Sequence, residues 1–136
     1  MAFVGPVEDR LKIRELYNTY SDASSRQDLD AYLACWSETC ERVSRQGELR
    51  GKPALRDAWN QIWAGLDGMA FFSEIGAIEI AGDTAAARCL CREIIVLKSG
   101  DLWKVVGRYE DDLVREAGEW RFRRRQYTLV INERSD

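Results

Sequence analysis

The second half of the chain constrains the fold most. Residues 69–80, 85–98, 102–116 and 119–132 each read as a strand, broken by the turn sequences Ala81-Gly82-Asp83, Ser99-Gly100 and Ala117-Gly118. Strands this long joined by connections this short return beside one another, which predicts an antiparallel meander. A sheet of that kind has one face to bury, so the residues before Met69 are expected to cover it.

Those residues carry the helical signals. In IRELYNTYSDASSRQDLDAYLACW, from Ile13 to Trp36, the residues Ile13, Leu16, Tyr17, Tyr20 and Ser24 recur at the spacing of one helical face, which is apolar except for two phenol hydroxyls. Ser24, Ser25, Gln27 and Asp28 break the pattern. Asp28 can accept the free amide hydrogens of a second helix, which Asp30 favours in its first turn and which buries Leu29, Tyr32, Leu33 and Trp36. A third helix opens at Gly51-Lys52-Pro53 and places Leu55, Ala58, Trp59, Ile62, Trp63 and Leu66 on one face. Trp59 and Trp63 are a turn apart and face inward together, either as core or as a wall for a ligand. Residues 1–10 read as a loosely held arm, and 41–45 with 48–50 as a small peripheral hairpin about Gln46-Gly47.

At 136 residues, 46% hydrophobic and 32% charged, the chain is expected to be one globular domain over residues 1–136. A formal net charge of -3 offers nucleic acid or an anionic membrane no general attraction. No apolar run spans a bilayer and MAFVGPVEDR lacks the regions of a signal peptide, so a cytoplasmic location is expected. Cys35, Cys40, Cys89 and Cys91 have neither disulfide-scaffold nor zinc-knuckle spacing and read as reduced, packed thiols. There is no histidine. Within this chain that excludes Ser-His and Cys-His nucleophile pairs, His-ligated metal and an imidazole proton shuttle. Acid-base chemistry here must use carboxylate, phenol, thiol, amine or bound water.

Turn geometry sets an expected register. Centring the last hairpin on Ala117-Gly118 opposes Leu113 to Phe122, and Asp111 to Arg124 on the side of Tyr109 and Trp103. Asp112 then opposes Arg123, and Glu110 opposes Arg125, on the other side. Opposite charge thereby matches the basic run at 121–125, which favours a solvated ladder or subunit contact over nucleic-acid binding. On the hairpin turning at 81–84, Ile80 pairs with Ala85 and Ile78 with Ala87. Continued outward, the same pairing puts Phe72, Glu74, Cys89, Cys91 and Glu93 on the apolar face, unless a β-bulge reverses the assignment beyond it.

Several stretches, in order, resemble one family: the helical pair from Ile13, GKPALRDAW from Gly51, IEIAGDTAAARC from Ile78 and GRYEDDLVREAGEWRF from Gly107. The sequence is similar to the SnoaL-like branch of the nuclear transport factor 2-like and ketosteroid-isomerase-like superfamily. The resemblance implies an α+β fold, a cystatin-like cone of curved antiparallel sheet wrapped around the N-terminal helices. It also implies a deep apolar pocket and frequent dimerisation through the outer sheet face. Relatives include isomerases, dehydratases, dehydrochlorinases, polyketide cyclases and noncatalytic binding domains. Tyr20 matches the phenol with which ketosteroid isomerases hold an oxyanion. Ser25 stands where dehydrochlorinase-like relatives have an aspartate base, Phe71 near their partner histidine, and Gly107 about where the isomerases have a second oxyanion donor.

Two functions are expected from this. In the first, a cofactor-independent lyase or isomerase acts on a small, apolar, oxygenated ring compound. Tyr20 polarises an oxygen, Glu93 or Asp111 moves a proton, and Tyr17, Trp36, Trp59, Trp63, Phe71, Cys91, Trp103, Tyr109 and Arg124 shape the pocket. No metal or cofactor is signalled. In the second, a noncatalytic small-molecule site or dimerising accessory domain has lost the family's Asp and His. Leu90, Ile94 and Val96 among charges on the outer face favour a homodimer.

Overall fold

The computed structural model describes residues 2–134. Helix α1 spans Val7–Arg26, with Glu8 and Asp9 in its first turn and Arg26 in its last, each complementing the helix dipole. It buries Ile13, Tyr17, Tyr20, Ala23 and Ser24 and ends at Gln27, whose left-handed φ of 58° lets its N–H reach back to the Ala23 carbonyl. The expected loose arm is instead structured over its described part. Phe3–Val4 forms β1, parallel to Ile78 and Glu79, and the Ile78 N–H donates to the Ala2 carbonyl at 2.8 Å. Met1 lies outside the described residues.

Asp28 caps α2 (Leu29–Ala34), accepting from the Ala31 N–H at 3.1 Å. Trp36 leaves that helix and opens β2 (Trp36–Ser44), which pairs antiparallel with β3 (Gly47–Arg50). This hairpin is not peripheral, because β2 also runs parallel to the last strand. Gly51, at φ 82°, precedes α3 (Lys52–Trp63), with Pro53 in its first turn. Leu55, Trp59 and Trp63 are buried, whereas Ile62 is 55% exposed and Leu66 belongs to the following strand.

The four long strands are β4 (Leu66–Ala81), β5 (Thr84–Leu97), β6 (Leu102–Glu116) and β7 (Glu119–Arg134). The sheet order is β1-β4-β5-β6-β7-β2-β3. An antiparallel meander is thus flanked by one parallel pairing on each side, and the sheet stays open rather than closing into a barrel. The fold is mixed α+β. No helix among the described residues is long and apolar enough to cross a membrane.

Two bulges decide which side chains point inward. Ile80 opposes Ala85 and Ile78 opposes Ala87, as the turn dictates, but the register shifts between Ile75 and Ala77. Phe71 is consequently buried, while Phe72 and Glu74 point out, contrary to the simple extrapolation. Cys89, Cys91 and Glu93 keep their inward positions because β5 has no extra residue. In the last hairpin Leu113 opposes Phe122, and then Arg123 is the extra residue. Asp111 therefore opposes Arg125, not Arg124, and Asp112 opposes Arg124. The expected charge ladder is corrected by one residue, and Arg124 instead bonds Glu41 at 2.9 Å. One residue of slip exchanges the faces of everything beyond it. Here it sends Arg125 into the core.

Candidate functional site

The core beneath the helices holds a buried charge pair. Arg125 and Asp111 are 0% and 3% exposed. Arg125 donates from Nε to Oδ1 at 2.8 Å and from Nη2 to Oδ2 at 3.0 Å, and the Tyr17 hydroxyl donates to the same Oδ2. Around the guanidinium stand the rings of Tyr109, Phe122, Tyr20 and Tyr17, with centroids 3.7, 4.2, 4.5 and 5.2 Å from Cζ. Burial pushes the Asp111 carboxyl up, against the pull of Arg125 and Tyr17. Burial opposes the Arg125 charge, but the Asp111 carboxylate offsets it, so the guanidinium stays ionised. This pair is sealed from ligand. Its geometric effect is to fix the rings of Tyr20 and Tyr109.

Above it lies a narrow cleft of about 100 Å³, bounded by the helices on one side and by strands β2 to β6 on the other. Its polar groups are Tyr20, Ser24, Tyr32, Arg42, Glu93 and Tyr109, and Trp59, Trp63, Phe71, Met69 and Leu49 contribute apolar wall. Arg42 donates to the Tyr109 hydroxyl from Nε at 3.4 Å and from Nη2 at 3.2 Å. Burial raises the Glu93 carboxyl above the ordinary glutamate value, and nearby Arg42 opposes this only in part. Glu93 has neither a hydrogen-bond partner nor an ion pair among the described residues, yet it is not sealed from solvent. Burial also keeps the phenols neutral: Tyr20 is pushed well above its usual value and Tyr32 up to about 12. The cleft therefore brings together a carboxylate able to accept a proton, neutral hydroxyls able to donate hydrogen bonds, and a cation.

Of the residues singled out from sequence, Tyr20, Glu93, Trp59, Trp63, Phe71 and Tyr109 meet at this cleft. The others stand elsewhere. Tyr17 and Asp111 belong to the sealed pair, and Trp36 and Cys91 are packed in the core. Trp103 donates from Nε1 to Asn132 at 2.6 Å at the far end of the sheet, and Arg124 faces away from the helices beside Glu41. Arg124 lines a much wider trough of about 1170 Å³ together with Glu79, Asp112 and Arg123. No phenol lines that trough, whereas Tyr20, Tyr32 and Tyr109 gather at the cleft. Sequence reasoning missed Arg42, Tyr32, Leu49 and Met69 as cleft residues. Alternation from buried Cys40 would have turned Arg42 inward, but a charged residue in a short hairpin reads as solvated.

The matched family positions are occupied differently here. The Phe71 N–H donates to Ser25 Oγ at 2.9 Å, and that hydroxyl donates to the Ser21 carbonyl at 2.8 Å, so Ser25 is spent on the backbone. The space a side chain at Gly107 would need is filled by the Tyr127 ring. Tyr127 packs on Tyr109 at 5.0 Å between centroids and lies beneath Arg42.

Solved structures share this architecture. A protein of Novosphingobium aromaticivorans provisionally named an aromatic ring hydroxylase is 25% identical, with a TM-score of 0.89 over 96% of both chains. One from the same organism, provisionally named a scytalone dehydratase, is 19% identical, with a TM-score of 0.87 over 93% of this chain and 87% of that one. A type 2 hexachlorocyclohexane dehydrochlorinase is 14% identical, with a TM-score of 0.86 over 96% of this chain and 90% of that one. A Nostoc punctiforme protein described as having a cystatin-like fold is also similar, with a TM-score of 0.77, 21% identity and coverage of 93% and 95%. Among curated proteins, none matches the sequence. Residues 6–126 match the profile of the SnoaL-like domain, and with helices and sheet in the expected order the chain belongs to the SnoaL-like family.

Proposed function

We propose that the cleft binds a small, oxygenated ring compound and acts on it as a cofactor-independent lyase or isomerase. The observation that carries this reading is Glu93, a largely buried carboxylate without a protein partner, set among neutral phenols. Glu93 removes a proton from a carbon next to a carbonyl, Tyr20 donates a hydrogen bond to the oxygen on which negative charge develops, and Trp59 and Trp63 hold the ring. Similarity to structures named for a dehydratase and a dehydrochlorinase supports elimination as the reaction type. A noncatalytic site is the second reading, favoured by the backbone use of Ser25 and by a volume below the roughly 300 Å³ common for ligand pockets.

Proton exchange tests the two without knowledge of the product. Incubated in D₂O with a panel of cyclic ketones and β-hydroxyketones, the protein is expected to catalyse deuterium incorporation or loss of water, followed by ¹H NMR. Tyr20→Phe lowers that rate by about an order of magnitude or more, in line with loss of one oxyanion donor, and leaves far-UV circular dichroism unchanged. Full activity in this variant would remove Tyr20 from the mechanism.

We also propose that the protein is a homodimer joined through the outer sheet face. Phe72, Leu90 and Ile131 are 47%, 46% and 53% exposed and lie on neighbouring strands, with Ile94 and Val106 half-buried among them. Light scattering at micromolar concentration is expected to return twice the 15.6 kDa chain mass. A monomer mass would reject the dimer.

A further inference from the structure

We infer that the ligand of this cleft carries a carboxylate on its ring and that Arg42 receives it, an inference resting on the reading of the cleft as a small-molecule site. Arg42 and Arg125 are register partners on adjacent parallel strands, and both guanidinium groups lie against the Tyr109 ring. Arg125 has its carboxylate in Asp111. Arg42 has none within 4.0 Å among the described residues, and its protein hydrogen bonds go to a phenol. Arg115, Arg121 and Arg124, partly exposed as Arg42 is, are each paired with an acid.

A half-buried cation with no counter-charge within 4.0 Å is left for a bound anion to offset. The geometry suits one. Arg42 lies over the Tyr127 ring, with Cζ 5.2 Å from its centroid, and turns Nε and Nη2 to the Tyr109 hydroxyl, so Nη1 is the donor nitrogen left for a ligand. Nη1 bonds no protein group and is not sealed from solvent, which leaves donors free for a carboxylate. Glu93 faces the same cleft and makes no ion pair with Arg42 within 4.0 Å, so it does not replace a ligand carboxylate there. The volume of about 100 Å³ is smaller than the roughly 150 Å³ cavity that encloses benzene, so the ligand is a single ring that projects past Leu49 and Ile62 toward solvent.

Isothermal titration of the full chain with benzoate and cyclohexanecarboxylate, against the neutral benzamide and cyclohexanecarboxamide, tests this. The acids are expected to bind at least about tenfold more tightly than the amides. Arg42→Gln abolishes the preference, and Arg42→Lys keeps part of it. Glu93→Gln, which removes the facing negative charge, tightens the acids and leaves the amides unchanged. That arm stands even if Arg42→Gln does not fold. Amides binding as well as acids, or Glu93→Gln weakening the acids, would overturn the carboxylate inference while leaving a small-molecule cleft in place. Binding of neither class at millimolar concentration would overturn both.

Discussion

Asp111→Ala lowers the free energy of unfolding by about 3–5 kcal/mol, the usual consequence of stranding one member of a buried ion pair. The stranded group is Arg125, fully buried and held in the charged state among aromatic rings. Its Nη1 already lacks a protein partner, so the loss of Asp111 leaves the guanidinium bonded only through Nη2 to Cys89 Sγ at 3.5 Å. The Tyr17 hydroxyl is orphaned by the same change. Replacing both charges, Asp111→Leu with Arg125→Met, is expected to recover most of the loss, because the desolvation of two charges is then avoided. Arg124→Ala, at a pair each about one third exposed, should move stability by less than about 1 kcal/mol. Urea unfolding followed by tryptophan fluorescence measures all three. An Asp111→Ala midpoint close to the parent's would show that the pair contributes nothing to the core.

The second large effect is on turnover. Glu93→Gln keeps the shape of the side chain and removes its basicity, and should lower the proton-exchange rate by about 10²–10⁴-fold, the range for a positioned general base. The pH profile carries a sign of its own. A base acts when ionised, so activity rises with pH through the folded-state value of Glu93, which burial sets above the ordinary 4.5. The Gln variant loses that limb. Stability moves the other way. A carboxyl whose value is raised on folding binds its proton more tightly in the folded state, so its contribution is full below the unfolded value. That contribution is lost as pH rises through the folded one. Glu93→Gln is therefore expected to be more stable than the parent at neutral pH, with the gain fading as pH falls through the folded value and gone below about pH 4. A variant that is less stable at neutrality and equally active would refute both halves of the argument. Together they describe a site that retains a costly group for its chemistry.

These effects fall on residues whose visibility from sequence differed sharply. Helix α1 announced itself through Ile13, Tyr17, Tyr20 and Ser24, since a helical face is a local pattern that no distant contact can shift. The Asp28 cap was legible for the same reason, its hydrogen bond spanning a few residues. Tyr20 followed from its place on that face, and Glu93 from counting alternately along β5, a strand without a bulge between turn and cleft. Asp111 was placed inward correctly but given the wrong partner. Counting from Ala117-Gly118 treats the hairpin as regular, and the extra residue Arg123 breaks that assumption.

The amino-acid pattern alone determined the order of the three helices and the long strands, most of the inward face of each helix, the turns of the meander and the exclusion of imidazole chemistry. All of these depend on spacing within one segment or on composition. Tertiary structure decided the rest. The bulges at Gly76 and Arg123 set which acidic and basic side chains meet. The parallel union of β2 with β7 carried Arg42 from an apparently solvated hairpin to the wall of the cleft. Packing of Trp36, Tyr17 and Cys91 reduced the hollow to about 100 Å³. The reason is physical: a bulge arises where a bent sheet must stay hydrogen-bonded while closing over its helices. That requirement belongs to the assembled sheet and is written in no single strand.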